Sequence, residues 1–231
     1  MKRKALLLVF TAALAFAAPA KSDEFLLGFT GFDYQNPNTS TTSPAGYLVV
    51  GEGYKMVGFV TSVGPLLDPW VDFSVNEYTV YLRDLTVINR SLFFQFFSAN
   101  FANNGRGSYY ADALSGGTPG NYGTNPPNAT SPSTFIDGSE RLTGDVDEFA
   151  ITFNFSTNQG NFSGKMTQDG GPDLIYIPTD QRAGWVLGGL AKRPNNTIPT
   201  GYDNQVSGEC RIPEGTPSTH KSWGAVKALY R

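Results

Sequence analysis

Large apolar side chains recur at every second position over much of this chain, and hardly anywhere at the three- and four-residue spacing of a helix. Phe149, Ile151, Phe153 and Phe155 alternate with Ala150, Thr152 and Asn154, which makes one face of a strand apolar and leaves the other small or polar. Ser156-Thr157-Asn158-Gln159-Gly160 has the composition of a turn, after which Phe162, Gly164 and Met166 resume the period of two. Residues 148–167 therefore predict a β-hairpin with a longer loop. In 70–88, Val71, Phe73 and Val75 share one parity and Tyr78, Val80 and Leu82 the other, so a turn or β-bulge is expected at Asn76-Glu77. Further strands are expected over 24–32, 47–63, 91–101, 184–191 and 205–212.

Many short strands punctuated by Gly, Pro and Asn, with no helical stretches between them, predict an all-β fold. The expectation is an antiparallel β-sandwich of jelly-roll or Ig-like type over residues 21–212, with a barrel as the alternative. Residues 100–139 are dense in Gly, Asn, Pro, Ser and Thr and read as one long loop between strands. Tyr109, Tyr110 and Tyr122 sit inside it, either as anchors pinning the loop to the sheet or as rings that stack on a ligand such as a sugar.

The first residues change the picture of where this domain works. Lys2, Arg3 and Lys4 precede an apolar and small run from Ala5 to Ala18, the pattern of a secretory signal of bacterial type. Cleavage is expected after Ala20, with Ser22 as second choice, so 1–20 is read as a signal peptide. The run is short of the ~20 residues that span a bilayer as a helix, and no later segment reaches that length. A secreted, periplasmic or cell-surface location follows. Removing residues 2–4 takes the formal net charge from −3 to −6, which argues against nucleic acid as a partner. The single cysteine, Cys210, forms no internal disulfide.

Candidate chemistry is sparse. The only histidine, His220, lies in a Pro/Thr/Ser-rich tail, a poor setting for a base oriented by a third group. One His and one Cys do not make a zinc site, and the phosphate-loop, dinucleotide and kinase signatures are missing. Carboxylates crowd into 137–148 and again at Asp169 and Asp173. Asp137, Asp145, Asp147 and Asp169 are candidate oxygen ligands for calcium, although their spacing matches no EF-hand loop. Solvated charges at loop tips are the competing reading, and a glycosidase pair ~5–10 Å apart is a third.

After the spacer Pro213-Glu214-Gly215-Thr216-Pro217, the segment 213–231 ends in Ser222-Trp223-Gly224-Ala225-Val226-Lys227-Ala228-Leu229-Tyr230-Arg231. Trp223, Val226 and Tyr230 fall on one face of a short helix that Thr219 or Ser222 would cap. This tail resembles that of a loose group of exported bacterial proteins ending in Trp-Gly-x-x-Lys-x-Leu-Tyr-Arg. The resemblance brings no catalytic residue and no activity with it. Two roles stay open: Trp223 and Leu229 docking on the domain, or Trp223, Lys227 and Arg231 being read by an envelope partner. The function expected from all this is a secreted, non-catalytic envelope, adhesion or carbohydrate-contacting module needing no cofactor beyond a candidate calcium ion. Its partner would be a glycan or an envelope protein. The alternatives are a polysaccharide hydrolase built on the acidic cluster and a barrel carrying an apolar ligand.

Overall fold

A computed structural model describes residues 24–36, 45–123, 133–193 and 198–212. Among these residues nine strands form one antiparallel sheet: β1 (Glu24–Asn36), β2 (Gly53–Val63), β3 (Asn76–Phe93), β4 (Phe96–Phe101), β5 (Gly105–Ala113), β6 (Ser139–Asn154), β7 (Gln159–Gly170), β8 (Trp185–Lys192) and β9 (Asn204–Ile212). Strands that follow one another in sequence pair, β4 and β5 excepted, and β1 pairs with both β2 and β9, so the sheet closes on itself. β4 and β5 both lie between β3 and β6, β4 against Val87–Phe93 and β5 against Asn76–Arg83. They form one stave broken at 102–104, which makes an eight-stave up-and-down barrel. The expected sandwich is thereby corrected to the alternative. Alternation tells which side chains share a face but not whether the last strand returns to the first. The expected tail helix lies outside the described residues.

The two long strands each change parity once, and the barrel depends on it. In β6, Leu142 and Val146 point inward before Glu148, and Phe149, Ile151 and Phe153 after it; all five are buried. Glu148 is the extra residue of a bulge at positive φ (52°), and its N–H donates to Asn103 Oδ1 at 3.0 Å. Asp84 (φ 61°) does the same in β3, between inward Leu82 and inward Leu85. Without these bulges the second half of each strand would turn its apolar side chains to water. The turn expected at Asn76-Glu77 stands directly before β3, where the Val75 and Asn76 N–H groups donate to the Asp72 carbonyl, and β3 changes parity again at Asp84; 68–75 is a 3-10 turn and loop that leaves Phe73 and Val75 exposed.

The hairpin expected over 148–167 is present as β6 and β7, with Phe149, Ile151, Phe153 and Phe162 buried. The expected long loop at 100–139 is not one loop, because β5 occupies 105–113. Its inward positions Gly105 and Gly107 leave room that Leu85, Val146 and Met166 fill, so the strand carries no apolar alternation to read. Inside the barrel, rings pack in a continuous series: Phe29 to Phe162 (centroids 6.2 Å), Phe162 to Phe149 (6.1 Å), Phe149 to Tyr54 (5.6 Å) and Tyr54 to Phe101 (5.4 Å). An interior void of about 50 Å³ remains near Leu27, Met166 and Trp185. Outward positions of β6 and β7, such as Asp145, Thr152, Ser163 and Lys165, are polar. That is the reverse of a membrane-spanning barrel, whose apolar band faces out.

A second, smaller cluster lies on the outer face. Tyr34, Val57, Tyr81 and Tyr110 project outward from β1, β2, β3 and β5, and Phe135, Tyr122 and Tyr202 from the connecting segments cover them. Thr79 Oγ1 donates to the Phe135 carbonyl at 2.8 Å, and Tyr202 Oη to the Tyr122 carbonyl at 3.1 Å. Edge-to-face contacts fix Tyr122 against Phe32 (4.6 Å) and Phe59 (5.6 Å).

One inward glycine gives a direct test of this packing. A Cβ on Gly208 would stand 2.6 Å from Phe162 Cζ and 2.7 Å from Phe29 Cζ. Gly208→Ala should cost about 1–3 kcal/mol by overpacking. Phe162→Leu in the same chain should recover part of that loss in denaturant melts, and strictly additive losses would show that the rings do not meet there.

Candidate functional site

Two clusters of polar side chains sit at opposite ends of the barrel, and they differ in access. At the end where β1 runs into its loop, Asp33 points inward and is fully buried. Its carboxylate accepts the Asn204 N–H (2.7 Å), the Asn204 Nδ2 amide (2.9 and 3.0 Å) and the Tyr54 hydroxyl (2.9 Å). Asn204 Nδ2 also donates to Tyr47 Oη at 2.8 Å, while Gln35 Nε2 donates to Asp203 at 3.0 Å and Gln35 Oε1 accepts the Leu48 N–H at 2.8 Å. The Arg193 guanidinium lies over the rings of Tyr47, Phe153 and Phe155. These groups plug the barrel end with a hydrogen-bonded network around the Asp33 carboxylate, with that of Asp203 beside it. Burial, then the neighbouring Asp203, raises Asp33 from the ordinary 3.8 to about 7, against the lowering effect of its hydrogen bonds.

The other end is open. Between the 3-10 turn Asp68–Trp70 and the start of β6 lies a cleft of about 420 Å³. Adjacent strands supply its lining: β3 gives Asn76 and Tyr78, β5 gives Asp112, the approach to β6 gives Asp137, and β6 gives Ser139 and Arg141. Trp70 forms one wall. Its ring stacks on Tyr176 with centroids 3.8 Å apart and planes 9° from parallel, and the residue stays 47% exposed. Tyr78 Oη accepts the Asp72 N–H at 2.9 Å, which ties the loop carrying Trp70 to β3. Arg141 is held by the buried Asp173, with Nε donating to Oδ2 at 3.0 Å, and this pairing stabilises the guanidinium charge. The cleft thus offers a flat aromatic wall, two carboxylates, an amide, a hydroxyl and a fixed cation.

The sequence-derived candidates distribute unevenly over this frame. Asp137 lies in the cleft. Asp145 and Asp169 meet on the outer wall, but around Arg106, which donates to Asp145 at 2.6 Å and to both oxygens of Asp169 at 2.6 and 3.0 Å. That ion pair holds the Asp169 carboxyl below its ordinary range. Asp147 pairs in register with Lys165. Among the described residues no group of three or more Asp, Glu, His or Cys side chains is gathered as a metal site would require. Tyr109 stacks on Tyr78 inside the barrel, whereas Tyr110, which donates to Glu140 at 3.2 Å, and Tyr122 both belong to the outer aromatic cluster, so two of the three share a face and the third lies on the other side of the wall. Trp223, Lys227 and Arg231 lie outside the described residues. Cys210 is buried in the barrel, and burial pushes its thiol up to about 12. Sequence reasoning missed Trp70, Asn76, Asp112, Ser139 and Arg141; the Gly64-Pro65 and Asp68-Pro69 pairs were the signal that a loop, not a strand, carries Trp70.

The buried carboxylate makes a pH prediction. A folded-state value raised above the unfolded one means that the contribution to stability is complete below 3.8 and lost as the pH climbs to about 7. Melting temperature should therefore rise on acidification from pH 8 to pH 5, with a swing of up to about 3 kcal/mol from this group. Asp33→Asn should flatten the slope in that window, and an unchanged slope would show that another group titrates there.

Compared with models of protein families, with characterised proteins and with solved structures, the chain finds no match.

Proposed function

We propose that this protein is an exported, non-catalytic module that contacts carbohydrate through the cleft walled by Trp70. The observation that carries the reading is the half-exposed Trp70 ring, stacked on Tyr176 beside the polar side chains of Asn76, Asp112, Asp137, Ser139 and Arg141. A sugar ring presents C–H groups on its face and hydroxyls at its edge. It is met by an aromatic plane with hydrogen-bonding groups around it. The cleft is fixed before any ligand arrives, since β3, β5 and β6 are paired along its floor and Arg141 is clamped. The export signal expected from the sequence supports a location outside the cytoplasm.

The hydrolase reading also has an observation in its favour, because Asp112 and Asp137 line one cleft. A glycosidase acid, however, relies on apolar surroundings to stay protonated, and Asp137 is exposed and Asp112 only half-buried. The carrier reading draws little support from an interior void of about 50 Å³, against the ~150 Å³ that accommodates benzene.

The test is a panel of immobilised neutral and amino-sugar oligosaccharides probed with the wild-type chain and with Trp70→Ala. Binding to at least one class is expected, with an affinity loss of about tenfold or more in the variant and little change in melting temperature. Retained binding in Trp70→Ala would place the site elsewhere. Release of reducing ends that disappears in Asp112→Asn would make the protein a hydrolase instead.

A further inference from the structure

The end of the barrel opposite the cleft carries an apolar surface that nothing in the described structure covers. The β3–β4 hairpin turns through Phe93, Phe94, Gln95 and Phe96, and its three phenylalanines are 69%, 80% and 63% exposed. Leu92 and Ile88 on the same hairpin are also exposed, and so is Val50 on the turn beside it, where Gly51 N–H donates to the Val87 carbonyl at 2.9 Å. Isolated exposed leucines need no explanation, but three rings on one turn do. Phe93 and Phe94 meet edge-to-face with centroids 4.6 Å apart, yet both rings stay largely in solvent. Phe94 has positive φ (55°), an arrangement that turns its side chain outward at a backbone cost.

The two ends differ in charge. At the surface of this end stand Arg90 and Lys192 and one carboxylate, Glu52, whose Oε2 accepts the Val49 N–H at 2.8 Å; the plug behind them adds Arg193 against the buried Asp33 and Asp203. The described segments 64–77, 110–123, 133–141 and 167–184 at the cleft end carry nine carboxylates and two arginines. One end is therefore aromatic with little net charge, the other strongly anionic. An anionic lipid surface repels the second far more than the first.

We infer that the Phe93–Phe96 hairpin tip inserts into the interface of an anionic lipid bilayer, holding the barrel end-on with its cleft facing away from the membrane. A second copy of the chain is the rival occupant. The three rings expose about 400 Å², half of the ~800 Å² per partner that a stable protein interface buries. Lipid demands no shape complementarity from a convex tip, and aromatic rings favour its headgroup boundary.

The test uses the full chain with Gln95→Cys carrying an environment-sensitive dye; Cys210 is buried and does not compete for the label. On adding phosphatidylglycerol vesicles the dye should shift to the blue, and on adding phosphatidylcholine vesicles it should do so only weakly. The same dye at Asp72→Cys, on the cleft end, should stay in water. Phe93→Ser with Phe94→Ser should weaken vesicle partition of the unlabelled chain by about tenfold or more, at unchanged melting temperature. A dye at position 95 that stays in water overturns the inference, even if the chain sediments with vesicles through another segment. Equal partition of the double variant, or a blue shift that grows with protein concentration in the absence of vesicles, overturns it as well; the last would identify a second copy as the occupant. The outcome is independent of the glycan panel, since the tip and the cleft share no residue.

Discussion

The pairing of β1 with both β2 and β9 is the constraint from which the rest of this structure follows. Once the ring closes there is no free sheet edge, and each strand has an inside and an outside that cannot be exchanged without turning apolar side chains to water. The inside must then be filled at a fixed diameter. Eight staves leave a bore that side chains alone can fill, and here rings from β1, β2, β6 and β7 do so, Phe29 and Phe162 against Gly208, while Leu85, Val146 and Met166 fill the room left by Gly105 and Gly107. The bulges at Asp84 and Glu148 serve the same end, since they let two strands of sixteen and eighteen residues bend around the bore and still keep one face inward.

Closure also determines where chemistry can reside. With the bore packed, polar function is left to the two mouths and the outer wall. One mouth is plugged by the Asp33–Asn204–Tyr54 network, whose carboxyl group is raised from 3.8 to about 7, chiefly by burial. The other mouth keeps its polar groups at the surface, because the loop bearing Trp70 is drawn to its rim by the Asp72-to-Tyr78 hydrogen bond and lies alongside β3, β5 and β6 without covering them. The ends therefore differ in charge and in access.

Legibility in the sequence followed the same physics. The β6–β7 hairpin was readable because its residues alternate without interruption and its turn has turn chemistry. Closure was not, since it depends on a ladder between residues as far as 188 positions apart, Glu24 with Ile212. β5 was hidden because glycines stand where apolar residues would have marked its inner face. The clustered carboxylates looked like a site by proximity in sequence, but strand geometry sends Asp145 and Asp169 to Arg106 on the wall and only Asp137 to the cleft. Trp70 was read as a strand residue by parity, whereas the two prolines before it make a loop that carries the ring to the rim.

The central claim is that the open mouth walled by Trp70 is where this protein meets a sugar. Amide and indole chemical shifts recorded while the uniformly labelled chain is titrated with an oligosaccharide test it residue by residue. The account predicts perturbations centred on the Trp70 indole and the amides of Asn76, Asp112 and Ser139, with Asn204 and the Phe93–Phe96 tip unmoved. Perturbations confined to that tip or to the barrel interior around Leu27 and Met166, or no saturable change with any oligosaccharide class, would contradict it.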